Sequence, residues 1–269
     1  MLRQKLMSHH RDDGFRWRGA EVSRIEGLSD AVFAFAVALL IVSLEVPKTF
    51  DELMAVMRGF FAFAICFALL LQVWHEQYRF FRRYNLQDST SLVLNCTLLF
   101  LVLFYVYPLK FLFTFLVNMW IGFAATVQIK ERQVPLLMGI FSGGFLAVSC
   151  IFMLLYGHAL HKRDALELNA LEVFDTKVSI GAAAINAFTA IASLAVAWIA
   201  PIQSGGFSGL IYPILLCPSF TIYYWVMSSK RRRLPRTVSG SVGTWKAPPP
   251  IPRQPANKLV TLAALRKSS

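Results

Sequence analysis

The sequence predicts an all-α, polytopic membrane protein, a bundle of six transmembrane helices with both termini in the cytoplasm. Three observations predict it. Hydrophobic residues make up 56% of the 269-residue chain and the mean hydropathy is +0.53, too apolar for an ordinary soluble domain. Apolar windows near the roughly 20 residues that cross a bilayer core recur along it. Lysines and arginines crowd alternate inter-window segments, which sets an orientation.

In order, the windows are 28–44, 53–73, 92–116, 134–156, 178–200 and 207–227. The first is the shortest, and the third carries Pro108 and Lys110. Residues 1–27 are polar and basic and lack the apolar core of a cleavable leader, so the first window is expected to act as its own insertion signal. Arg3, Lys5, Arg11, Arg16, Arg18 and Arg24 precede it; Arg79, Arg82 and Arg83 follow the second window; Lys162, Arg163 and Lys177 lie between the fourth and fifth. The run Lys230-Arg231-Arg232-Arg233 opens a basic tail after the sixth. Only Lys48, Arg58, Lys110, Lys130 and Arg132 fall on or toward the other side. Positive charge inside therefore puts both termini in the cytoplasm, which requires an even number of spans.

The expected organisation is a basic cytoplasmic segment over residues 1–20, one membrane domain over 21–229, and a basic, Pro-rich, disordered cytoplasmic tail over 230–269. Residues 161–177 read as a charged cytoplasmic loop. The net charge of +12 is explained by topology and by anionic lipid headgroups at the cytoplasmic face, so no nucleic-acid partner is expected. Cys66, Cys96, Cys150 and Cys217 all lie inside windows without metal-ligand spacing. Neither a metal nor another cofactor is expected.

Polar residues at the cytoplasmic ends of the first three windows stand out. Arg24, Ser29 and Asp30 open the first, Trp74 and His75 close the second, and Asn95 lies about one turn into the third. All should sit near one level. An Arg24–Asp30 pair with His, indole and amide donors around it would let a carboxylate stay charged beside lipid at tolerable cost. Two roles compete for Asp30 and His75: a proton or ion relay, or a hydrogen-bonded staple across three helices. Helical geometry favours the staple, because Asp30 points away from the face that carries Leu28, Phe35, Leu39 and Val42. That face, which also holds Ala31 and Ala38, is wholly apolar. Periodicity alone cannot separate a pore-lining stripe from one that faces lipid or another helix.

The run Arg24-Ile25-Glu26-Gly27-Leu28-Ser29-Asp30 resembles the signature that opens the potassium-channel family of transmembrane protein 175. That signature is an arginine, three variable residues, then Phe-Ser-Asp; here the interval from Arg24 to Asp30 matches and Leu28 replaces the phenylalanine. Trp74-His75, Leu94-Asn95 and Tyr107-Pro108 extend the similarity, in order, over the first three windows. The resemblance implies a homotetramer in a cell membrane, with the first spans meeting on a central axis. It places the pore constriction at Phe35, with Leu39 and Val42 as further apolar rings, and the pore-face filter position at Ala38. Relatives carry Ile or Leu where Phe35 stands, and many carry a threonine where Ala38 stands.

The function expected is thus a potassium-permeable cation channel with potassium as the permeant ion, not an enzyme. His9, His10, His75, His158 and His161 form no nucleophile–base or metal set with the acids at helical spacing. Two alternatives stay open: a proton-leak pathway or transporter, and a non-conducting membrane scaffold of the same fold. The near absence of midplane acids argues against the former, and Phe35 and Ala38 keep the latter in play.

Overall fold

A capping box starts the first helix. Ser23 Oγ accepts the Glu26 amide at 3.2 Å while the Glu26 carboxylate accepts the Ser23 amide at 2.8 Å, so two amides that have no helical partner are satisfied reciprocally. The structure, a computed structural model, describes residues 15–19, 22–42, 48–121, 130–199 and 217–233. These form seven α-helices: α1 (Arg24–Val42), α2 (Phe50–Arg58), α3 (Phe60–Tyr84), α4 (Ser89–Ile121), α5 (Val134–His161), α6 (Ala170–Ile199) and α7 (Cys217–Arg233). A 3-10 turn, Glu131–Gln133, precedes α5, and the described residues include no strand.

Four of these helices are long and apolar enough to cross a membrane: α3, α4 as far as Val117, α5 and α6. α1 is 19 residues long and carries Arg24, Glu26 and Asp30 in its first two turns. Of the sixth window, residues 207–216 lie outside the described residues, and the remainder falls in α7. The segments 1–14 and 234–269 also lie outside them.

The second window reads differently in three dimensions. Residues 53–73 are not one helix: α2 ends at Arg58, Gly59 intervenes, and α3 then runs on through the charged stretch to Tyr84. Thr49 Oγ1 caps the short α2 by accepting the Glu52 amide at 3.2 Å. Asn85 ends α3 in a left-handed conformation, φ 49°, with its amide on the Phe81 carbonyl at 2.8 Å. The charged loop is also shorter than its composition suggests. α5 extends to His161 and α6 starts at Ala170, because Asn169 and Glu172 form a second reciprocal cap, at 2.8 and 3.1 Å. Glu172, Asp175 and Lys177 are therefore helical. Pro108 is carried inside α4.

α1 lies against both α3 and α4; α4 then packs on α5, α5 along most of α6, and α6 on α7. The main core gathers around Phe80, Phe81, Tyr84, Leu98, Leu155 and Tyr156, all 2% exposed or less. A smaller cluster, Leu112, Met138 and Ala197, joins α4, α5 and α6 elsewhere along the helices.

Candidate ion path

α1 has two faces. At about 100° per residue, Ser29, Phe33, Ala36 and Leu40 share one side, and all four are buried against α3 and α4, Phe33 at 5% exposure. Leu28, Ala31, Phe35 and Ala38 share the opposite side and are exposed, Phe35 at 57%. Leu39 stands at the edge between them, half-buried and packed on the core. The Val42 side chain lies outside the described residues. Phe33 and Phe35, two positions apart, thus face in different directions, one packed and one uncovered.

The buried face is held by directional bonds. Ser29 Oγ donates to the Ile25 carbonyl at 2.8 Å and accepts Asn95 Nδ2–H from α4 at 2.9 Å. Gln77 of α3 donates Nε2–H to Asn95 Oδ1 at 3.1 Å. Ser29, Asn95 and Gln77 are all buried, so this chain ties three helices where water cannot compete. A second tie lies at the rim, where the Trp74 indole donates to Asp30 Oδ1 at 2.8 Å.

Four of the six polar residues singled out in the sequence, Ser29, Asp30, Trp74 and Asn95, are thus joined by these two ties. The other two stand apart. Arg24 is exposed and in no ion pair with the described residues, and Asp30 takes an indole N–H rather than a guanidinium. His75 is exposed and stacks on Tyr78 with ring centroids 6.5 Å apart.

Sequence reasoning missed several participants. Gln77 follows Trp74 by three residues, so it shares that side of α3, and its position was readable from helical spacing. Glu76 accepts a hydrogen bond from the Tyr156 hydroxyl of α5. Lys110 Nζ donates to the Leu40 carbonyl at 2.7 Å, placing a cation on the last turn of α1, where the helix dipole favours one. Asp88, before α4, accepts from Ser91 Oγ at 2.8 Å and His158 Nε2 at 2.8 Å and lies 3.2 Å from Lys162 Nζ. Partial burial works to raise the Asp88 pKa, but the bonds from Ser91, His158 and Lys162 together outweigh it and hold the carboxyl well below the usual range.

Among the described residues no group of three or more His, Cys, Asp and Glu side chains is placed to hold a metal ion. The arrangement therefore offers a helix with one locked face and one open apolar face, rather than a constellation of reactive groups.

Comparisons with known proteins give the family. The family profile described as endosomal/lysosomal potassium channel TMEM175 matches residues 24–108, which span α1 to the middle of α4. A potassium channel of Marivirga tractuosa is 38% identical over 231 residues, covering 82% of this chain and 93% of its own. A potassium channel of Chamaesiphon minutus is 29% identical over 167 residues, covering 56% of this chain and 76% of its own. Among solved structures, a variant of the potassium channel MtTMEM175, crystallised with a nanobody–MBP fusion, superposes with a TM-score of 0.72 at 38% identity, covering 81% of this chain and 98% of that one. With a relative this similar over nearly its whole length, the chain belongs to the TMEM175 family of potassium channels, a family of ion channels and not of enzymes.

Proposed function

We propose that the chain is one subunit of a potassium-permeable cation channel in which α1 of four subunits lines a central path. The observation that carries this reading is the exposure pattern of α1. Its polar contacts are spent on the face toward α3 and α4, and the continuous strip from Leu28 through Ala31 and Phe35 to Ala38 is left uncovered. One chain supplies one such strip, so a closed path needs several copies around an axis. Phe35 forms the constriction, with Leu39 and Val42 as further rings, and Ala38 occupies the filter position. Such a ring controls passage by its width and wetting, not by carbonyl ligands.

The same reading gives six spans with both termini cytoplasmic in a cell membrane, the sixth formed by residues 207–227. The organisation is then the basic segment 1–20, the channel domain 21–229 and the basic tail 230–269. The basic cytoplasmic face, with the exposed Lys230 near the end of α7, lies against anionic headgroups. Of the six polar residues, Ser29, Asp30, Trp74 and Asn95 serve as structure around the path rather than as a relay, a reading supported by the buried Ser29–Asn95–Gln77 chain, whereas Arg24 and His75 lie outside these ties.

The test is potassium, sodium and proton flux into liposomes holding purified protein, with particle size measured in parallel. Phe35→Ala should raise cation flux and reduce discrimination between potassium and sodium. Ala38→Thr should restore some preference. Phe33→Ala should change flux per assembled particle far less. Equal effects at Phe33 and Phe35, or no flux in any variant of a confirmed tetramer, would remove α1 from the path and favour the scaffold reading.

A further inference from the structure

A strap formed by Phe15–Gly19 crosses the bundle just ahead of α1. Phe15 is buried, edge-on to Tyr84 with centroids 5.6 Å apart, and lies under the Arg83 guanidinium at 4.8 Å. The Arg18 and Gly19 amides both donate to the Arg82 carbonyl, at 3.1 and 3.2 Å, so the strap satisfies a carbonyl that the last turn of α3 leaves without a helical partner.

Arg18 is the centre of the strap. Its guanidinium meets the Glu172 carboxylate through both forks, Nη2 to Oε2 at 2.8 Å and Nη1 to Oε1 at 3.3 Å. Its Nε also donates to the Leu166 carbonyl at 3.1 Å. Glu172 is 1% exposed. A pair this buried forms only where its geometry repays desolvation, and removal of one partner strands the other. Glu172 is already engaged by the cap with Asn169, at 2.8 and 3.1 Å, so the start of α6 does not need Arg18 for capping.

The strap is tied onward to α1. Arg82 donates to the Gly19 carbonyl at 3.0 Å and pairs with Glu26 of α1 at 3.5 Å. A continuous run of contacts therefore joins the start of α6, the strap, the end of α3 and the first turn of α1. We propose that Arg18 is a positioning residue of the conduction path, anchoring the first turn of α1 against the bundle through the strap and Arg82. This rests on the reading that α1 lines the path. Freed of the anchor, the uncovered apolar face of α1 is driven toward its copies by burial of its own surface, and the ring at Phe35 narrows.

The test is a double-mutant cycle on potassium flux per assembled channel in liposomes, with Arg18→Ala made in the native and the Phe35→Ala backgrounds. A positioning role acts through the ring, so Arg18→Ala should lower flux about fivefold or more in the native background and less than about twofold when Phe35 is alanine. A role limited to stability would change both backgrounds by the same factor, and that result, or no change in the native background, overturns the proposal. Should Arg18→Ala not assemble, Glu172→Gln replaces it in the cycle, with the same outcomes deciding. If neither assembles, Arg18 is a folding residue and the proposal falls. A Phe35→Ala channel that assembles with unaltered flux would instead overturn the placement of α1 on the path, a separate failure.

Discussion

The contact of α1 with α3 and α4 and the contact of α5 with α6 combine fit and directional bonds in different proportions. α5 and α6 meet along most of their length mainly through small buried residues, Ser142 on α5 with Ala183, Ala187, Ala190, Ser193 and Ala197 on α6, and one directional bond crosses there, Ser142 Oγ donating to Ser193 Oγ at 3.0 Å. Such faces let helices approach closely and gain by dispersion. α5 is fitted as closely against α4, where a Cβ on the buried Gly144 would lie 2.0 Å from the Tyr105 ring. α1 has only one side in contact with the bundle, and there the bonds are directional, from Ser29 to Asn95 to Gln77 and from Trp74 to Asp30. A helix that must stay in place with half its surface uncovered relies on bonds that fix its rotation. A helix packed along its length can rely mainly on fit.

The strongest way to break this contrast is Asn95→Leu. It removes the partner of Gln77 Nε2 in the core and leaves Ser29 Oγ with its bond to the Ile25 carbonyl, so thermal melting in detergent should show a loss of about 1–3 kcal/mol. A loss below about 1 kcal/mol would mean the chain of amides does not hold α1. Gly144→Ala comes next. Overpacking against Tyr105 should cost about 1–3 kcal/mol, and Gly144→Ala paired with Tyr105→Ala should recover part of it; an unchanged double variant would show that fit does not govern α5.

Asp30→Ala is expected to do less. The bond to Trp74 sits at an exposed rim, so its loss should cost about 0.5–1.5 kcal/mol, and Arg24→Ala should leave melting unchanged. A loss of about 3–5 kcal/mol would restore the buried Arg24–Asp30 pair that the sequence suggests. The smallest effect concerns pH. The folded pKa of Asp88 is depressed, so its contribution is present above the unfolded value of about 3.9 and is lost as pH falls through the folded value. The melting difference between native protein and Asp88→Asn should therefore be greatest near neutrality and shrink as the pH drops below about 4. A difference that grows in acid would contradict the sign.

Much of this was legible because polar residues are expensive in apolar spans. Ser29, Asp30, Trp74 and Asn95 could be found by type and depth alone, and helical periodicity put Phe35 on one face with Leu28, Ala31 and Ala38. The partners were harder. Arg24 and Asp30 are matched in charge and near in sequence, but Arg24 projects into the open and the indole of Trp74 takes its place. Residues 53–73 are apolar enough for one span, yet a capped helix and Gly59 divide them. Glu172 looked like a loop acid because composition does not reveal a cap formed with Asn169 or a guanidinium arriving from residue 18. Contacts between residues so far apart in sequence have no local signature.

The central claim is that the face of α1 opposite its bonded side lines the ion path. Its most direct measurement is potassium flux through a cysteine-free background carrying Phe35→Cys or Phe33→Cys, before and after a small, positively charged thiol reagent. The account predicts rapid block of the Phe35→Cys channel and no effect on Phe33→Cys, which stays packed against the bundle. Block at Phe33→Cys with Phe35→Cys unaffected would contradict it.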